Sequence, residues 1–306
     1  MTEISDDQLI GLDEFALLSE NAAQAGVSTP LPPVSRIESG PISALKWGAE
    51  PPQVVFLHGG GQNAHTWDTV ILGLGVPALA IDLPGHGRSA WREDGDYGPK
   101  LNAETVRSVL PEWAPNPRLV VGMSLGGLTA LRIATVEPEL VPELVLVDVT
   151  PSAPERHEQM SQAQLGAVAL TQGERSFPSF AAMLDVTIAA SPTRSRESLR
   201  RGVFHNSKQL DDGTWTWRYD SFRKGANPGG GLPESFAGLW DDVPSITMPT
   251  TLVRGANSFF VNDEDADEFA RTAPGFQRVI VVPDSGHSVQ GDQPRALVQI
   301  LGDVLG

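Results

Sequence analysis

The 306-residue chain contains no cysteine. That excludes disulfides, thiolate metal sites and a cysteine nucleophile, and it suits a chain that needs no oxidative stapling. Positive charge is also scarce: 22 Lys and Arg stand against 38 Asp and Glu, a formal net charge of −16. Such a field repels phosphate backbones and anionic headgroups, so neither nucleic acid nor a membrane surface is an expected partner. No apolar run approaches the roughly 18 residues of a membrane span. The opening, MTEISDDQLIGLDEF, lacks the basic start and apolar run of a signal peptide. These absences predict a soluble, cytoplasmic protein.

What is present is an ample core, with 40% hydrophobic residues, in a length that fits one large α/β domain carrying an insertion. Residues 6–25 place Leu9, Leu12, Phe15, Ala16 and Leu18 near helical spacing, which predicts a leading amphipathic helix. Strand-like runs follow at Ser35–Ser39 and Ile42–Trp47. The runs Val54–Leu57, Ala78–Ile81, Leu119–Val121, Leu144–Val147, Thr251–Val253 and Val279–Val282 are short, apolar and β-branched, as strands buried on both faces of a parallel sheet are. Helical patterns at Thr66–Leu74, Ala103–Trp113, Leu125–Thr135, Glu264–Thr272 and Pro294–Leu305 alternate with them, so a doubly wound α/β fold is expected. The long interval between Val147 and Thr251 breaks the alternation. Residues 151–244 are therefore expected to form an inserted, mainly helical subdomain, with 1–150 and 245–306 as the core.

The stretch Val120-Val121-Gly122-Met123-Ser124-Leu125-Gly126-Gly127 carries the most chemistry. An apolar strand enters G-x-S-x-G and a helical pattern leaves it, the context in which a serine stands exposed on a strained strand-to-helix turn. A serine hydroxyl needs a base to take its proton as it attacks, and the tetrahedral oxyanion needs preorganised N–H donors.

With His58-Gly59-Gly60-Gly61 after one strand, Asp82-Leu83-Pro84-Gly85-His86-Gly87-Arg88-Ser89 after the next and Asp284-Ser285-Gly286-His287 after the last, the chain resembles the α/β-hydrolase family along nearly its whole length. The resemblance implies a mostly parallel eight-stranded sheet with a helical cap inserted after strand 6. It also implies Ser124 as nucleophile and His287 as base, with His58 and His86 as backbone braces and His65, His157 and His205 as packing or solvated side chains. Gly60 and Leu125 become the expected oxyanion donors, with Gly61 as the alternative.

The acid departs from the family's commonest pattern. In Arg254-Gly255-Ala256-Asn257-Ser258 a serine stands where the aspartate usually does. Asp148, at the end of the strand Leu144–Val147, is the expected replacement, because some α/β hydrolases carry their acid there. Asp263 is the alternative acid, although an N-cap followed by acidic first-turn residues explains it well.

In the insertion, Trp215, Trp217, Tyr219 and Phe222, with Phe177, Phe180, Met183 and Phe204, offer an apolar lining, and Met123 beside the nucleophile joins them as a candidate substrate contact. Asn227–Gly231 reads as a loop and not as a phosphate cradle. The expected activity is hydrolysis of a fairly apolar carboxylic ester or lactone through an acyl-enzyme, with no cofactor and no metal; the sequence sets no oligomeric state. Carbon–carbon bond hydrolysis and cofactor-free perhydrolysis are alternatives on the same fold, and a non-catalytic small-ligand receptor is an alternative of another class.

Overall fold

The computed structural model describes residues 9, 11–28, 30–220 and 234–306; Phe222 and Asn227–Gly231 lie outside them, as do residues 6–8 and 10. The described residues form an eight-stranded sheet in the order β1-β2-β4-β3-β5-β6-β9-β10. Its strands are β1 (Val34–Ser39), β2 (Ile42–Trp47), β3 (Val54–Leu57), β4 (Ala78–Asp82), β5 (Leu119–Met123), β6 (Leu144–Val147), β9 (Thr250–Gly255) and β10 (Phe276–Val282). Only β1–β2 and β2–β4 pair antiparallel; β4, β3, β5, β6, β9 and β10 run parallel.

The continuous apolar runs are explained by burial on both faces. In β3, Val55 and Leu57 join one core with the helices Pro99–Arg107, Leu125–Val136 and Asp263–Thr272, while Val54 and Phe56 join the other with Leu18–Ala25, Asp68–Leu74 and Pro294–Leu305. One strand departs from that rule. β10 is the sheet edge, with Val279 and Val281 exposed at 36% and 45%, so its β-branched run reflects strand propensity and not double-sided burial.

Two helices also differ from their sequence patterns. Among the described residues the leading helix spans Leu18–Ala25, because Gly11 adopts φ +82° and the Asp13 carboxylate accepts Phe15 N–H at 2.8 Å, a local bond that competes with helix. The 103–113 pattern splits into Pro99–Arg107 and Leu110–Trp113, since Pro111 has no N–H to extend the first helix.

Between β6 and β9 the chain leaves the sheet. It forms the helices Ala153–Gln159, Phe180–Ala190 and Arg196–Asn206, then a small antiparallel hairpin of β7 (Ser207–Gln209) and β8 (Trp215–Trp217). Phe177, Phe180, Met183, Leu199, Trp215 and Trp217 pack into a separate apolar cluster here. The hairpin was not apparent from the sequence, where TWTW reads as aromatic lining.

An ion-pair chain ties the N-terminal segment to the sheet. Arg36 bridges Glu14 at 2.9 Å and the buried Asp82 at 2.7 Å, and His65 bonds Asp68 at 2.8 Å with its ring stacked 3.7 Å from that of His205. Burial alone would push the His65 pKa down, but the Asp68 carboxylate and Glu14 outweigh it and raise it to about 9. Its folded-state pKa thus lies above the ordinary value of 6.5, so protonated His65 stabilises the fold fully below about pH 6.5, and that contribution is lost as pH rises through about 9. The stability gap between wild type and His65→Gln is expected to shrink across this window by on the order of 3 kcal/mol. Denaturant titrations at pH 6, 7.5 and 9.5 read the gap, and a constant value would refute the assignment.

Candidate active site

Strand β5 ends at Met123 and the helix Leu125–Val136 begins two residues later, which leaves Ser124 at φ 50° and ψ −121°. Positive φ costs a side-chain-bearing residue about 1–3 kcal/mol and persists only where its surroundings over-determine it. Here Ser124 N–H donates to Val147 O at 3.1 Å, and Ser124 O accepts from Gly127 and Leu128 N–H. Gly126 lies against the end of β3, where an added Cβ would stand 2.5 Å from His58 O and inside the envelope of Leu57 O. The turn can close this tightly only without a side chain there.

His287 follows β10 and reaches back across the sheet edge. Its Nε2 lies 3.0 Å from Ser124 Oγ and its Nδ1 lies 2.7 Å from Asp148 Oδ2. Because a carboxylate only accepts, Nδ1 carries the ring proton, and Nε2 presents its lone pair to the serine hydroxyl. Phe260 stacks flat on the imidazole, with centroids 3.6 Å apart and planes 13° from parallel, which restricts its rotation.

Asp148 stands at the end of β6 with no exposed surface. Its backbone holds φ 53° and donates N–H to Val253 O at 2.7 Å. Oδ1 accepts Gly255 N–H at 3.0 Å, and Oδ2 accepts both His287 Nδ1–H and the Ser258 hydroxyl. Ser258, which stands where the family usually has an aspartate, therefore donates to the Asp148 carboxylate.

Asp263 is elsewhere. Its side chain is 86% exposed and pairs with Arg254. Nor is it the N-cap of Asp263–Thr272. That cap is Asn262, which exchanges hydrogen bonds with Asp265 in a capping box.

Of the expected oxyanion donors, Gly60 and Leu125 N–H make no hydrogen bond among the described residues. The alternative, Gly61, is committed: its N–H donates to His86 Nε2 at 3.0 Å. His58 and His86 brace the two glycine turns. His58 Nε2 accepts Leu83 N–H at 2.9 Å while its Nδ1–H donates to Gly59 O, and His86 Nδ1–H donates to Pro84 O at 2.9 Å. Burial, reinforced by His86, pushes the His58 pKa down to about 3, and burial also lowers that of His86, so both rings serve as neutral acceptors.

The expected substrate contacts divide. Trp217 and Tyr219 line a cavity of about 160 Å3, together with Gly60, Gly61, Gln62 and Ser288. Trp215 instead packs edge-to-face on Phe180, at 5.6 Å and 71°, inside the insertion's own core. Met123 is 1% exposed and buried in the sheet core, so it offers no surface to a ligand.

The sequence alone does not mark Ser258 as a donor, Phe260, or Gln62, which accepts Gly59 N–H at 3.1 Å and donates to Ser288 Oγ at 3.1 Å. The missing acid in the β9 loop was the available signal for Ser258; the other two carry no motif. Among the described residues, His65, Asp68 and His205 form a group of potential metal ligands, with ligand atoms within 4.8 Å of one another. The His65–Asp68 bond and the stacked rings make it an ion-paired packing unit.

The tight turn yields a structural expectation. Gly126→Ala should lower stability by about 3 kcal/mol or more, because two backbone carbonyls and not flexible side chains meet the new methyl. An unchanged denaturation midpoint would show that the turn has slack.

The chain matches the alpha/beta hydrolase family over residues 54–300. It is 63% identical over 302 residues to Esterase Rv0045c of Mycobacterium tuberculosis, an alignment covering 99% of each chain. A solved structure of that esterase agrees with the present fold at a TM-score of 0.87, covering 96% of this chain and 99% of the other. The sn-1-specific diacylglycerol lipase ABHD11 of Mus musculus is 26% identical over 257 residues, 80% of this chain and 78% of the lipase. By sequence and by fold, the chain belongs to the alpha/beta hydrolase family.

Proposed function

We propose that the chain is a serine esterase acting on carboxylic esters or lactones through an acyl-enzyme. The observation that carries this is the continuous hydrogen-bond line from Ser124 Oγ through His287 to Asp148, at 3.0 and 2.7 Å. The esterase activity in the printed name of the 63% identical relative supports the same chemistry.

Ser124 Oγ attacks the carbonyl carbon as His287 Nε2 takes the hydroxyl proton. The carbonyl oxygen becomes an oxyanion held by the N–H groups of Gly60 and Leu125, which need an acceptor. Asp148 holds the Nδ1–H tautomer and stabilises the imidazolium. Collapse of the intermediate breaks the ester C–O bond, and His287 returns the proton to the leaving alcohol. Water then repeats the sequence on the acyl group, releasing the acid and restoring Ser124. Residues 151–244 act as a cap whose Trp217 and Tyr219 face substrate.

Ser124→Ala should abolish burst release from a short p-nitrophenyl ester, and a retained burst would remove Ser124 from the mechanism. Asp148→Asn should lower kcat by on the order of 10⁴, as loss of a triad carboxylate does. Asp263→Asn should leave kcat within about twofold, since its carboxylate is solvated on Arg254. Stopped-flow comparison of the two variants decides the acid: a larger loss in Asp263→Asn reverses the assignment.

A further inference from the structure

Arg194 lies between the helices Phe180–Ala190 and Arg196–Asn206 and lines the same cavity as Gly60. Its side chain is 21% exposed. Of its five N–H donors, one reaches an acceptor among the described residues: Nη2 donates to the neutral hydroxyl of Ser198 at 3.0 Å. Its Nε–H is buried without a partner. The nearest carboxylate, Asp292, stands 3.7 Å from Nε, beyond hydrogen-bond reach, and its other oxygen is held by Gly286 N–H at 2.9 Å. Burial pushes the Arg194 pKa down, opposed by Asp292, yet guanidinium stays protonated in proteins. The guanidinium lies close over the Gly291 backbone, where an added Cβ would stand 2.6 Å from Arg194 Cζ.

Asp292 thus pairs the largely buried charge at ion-pair distance but without a hydrogen bond, which leaves guanidinium donors open to a further acceptor. Arg201, the other guanidinium on the wall, is already held by Glu20 and Gln24. The same cavity wall carries Leu199, Val203, Trp217 and Tyr219, which supply apolar surface alongside the guanidinium. A wall that combines apolar side chains with a guanidinium fits a short methylene chain ending in an anion.

We propose that this cavity is a subsite for a carboxylate carried by the substrate, bound by Arg194, so that the preferred esters bear a free carboxylate a few carbons from the ester group. The proposal rests on the esterase reading and deepens it. Gly60 belongs to both the oxyanion turn and the cavity wall, so an ester whose carbonyl oxygen sits on Gly60 N–H has one arm beside the cavity. A guanidinium pairs a carboxylate through two parallel N–H bonds, which a neutral chain end cannot reproduce.

The test compares kcat/KM for two matched pairs: monomethyl adipate against methyl hexanoate, and 6-acetoxyhexanoate against hexyl acetate. The first pair carries the charge on the acyl side and the second on the alcohol side. Wild type should favour the charged member of at least one pair by on the order of 10- to 100-fold. In Arg194→Gln that ratio should fall to near one, and in Arg194→Lys it should fall partway. A ratio is independent of the fraction of active enzyme. If Arg194→Gln does not fold, competitive inhibition of wild type by hexanoate against hexanamide reads the same preference. Absence of a charged preference in both pairs, or a ratio unchanged in Arg194→Gln, overturns the subsite. Hydrolysis of the neutral esters, lost in Ser124→Ala, reports on the esterase reading separately.

Discussion

The site hangs on one buried carboxylate. Asp148 has no exposed surface, and its two oxygens accept from three elements: Gly255 at the end of β9, Ser258 in the loop beyond and His287 after β10. A carboxylate taken out of water this completely is tolerable only when its lone pairs are filled, and removing one partner of a buried ion pair typically costs about 3–5 kcal/mol. The same three bonds that satisfy the charge therefore fix the mutual positions of the last three parallel strands. Where β9 and β10 end determines where His287 Nε2 points, and so its 3.0 Å approach to Ser124. Sheet register and the Ser124–His287–Asp148 geometry share one constraint.

The other half of the site is built from strain and neutral braces. Ser124 and Asp148 both hold φ near 50°, side by side at the ends of neighbouring strands. Each presents its side chain above the sheet edge at an angle that ordinary strand geometry does not provide, and packing of the strand-to-helix turns compensates the strain. Opposite them, His58 and His86 act as acceptors because burial keeps them neutral. By taking Leu83 and Gly61 N–H they lock two glycine turns together and leave Gly60 N–H as the uncommitted donor. This explains why adjacent glycines differ in role: Gly61 is spent on holding the turn that presents Gly60.

Much of this was legible in the sequence, for identifiable reasons. Buried parallel strands announce themselves because both faces must be apolar, so β3 and β6 were bounded to the residue. The elbow was legible because its glycines answer to hard-sphere contacts that no other residue relieves. What escaped depended on facts a local pattern does not carry. β10 has the composition of a buried strand but sits at the edge, a matter of strand order. Phe260 contributes a flat face to His287, and any apolar residue in that loop would have read the same in sequence. Met123 adjoins Ser124 in sequence, yet strand alternation turns its side chain into the core.

The acid's position shows how sequence and geometry inform each other. Against the family pattern, Ser258 reads as a loss. In space it lies within hydrogen-bond reach of the same Asp148 oxygen that His287 uses, so position 258 and Asp148 converge on one point. A second carboxylate at position 258 would place like charges in contact within a buried site, and one would have to give up its charge. An uncharged donor beside an acid is the arrangement that electrostatics permits: the serine that removes one negative charge supplies a hydrogen bond to the other. The absence of an acid in LVRGANSFF and the presence of Asp148 are thus a single feature, distributed over two strands.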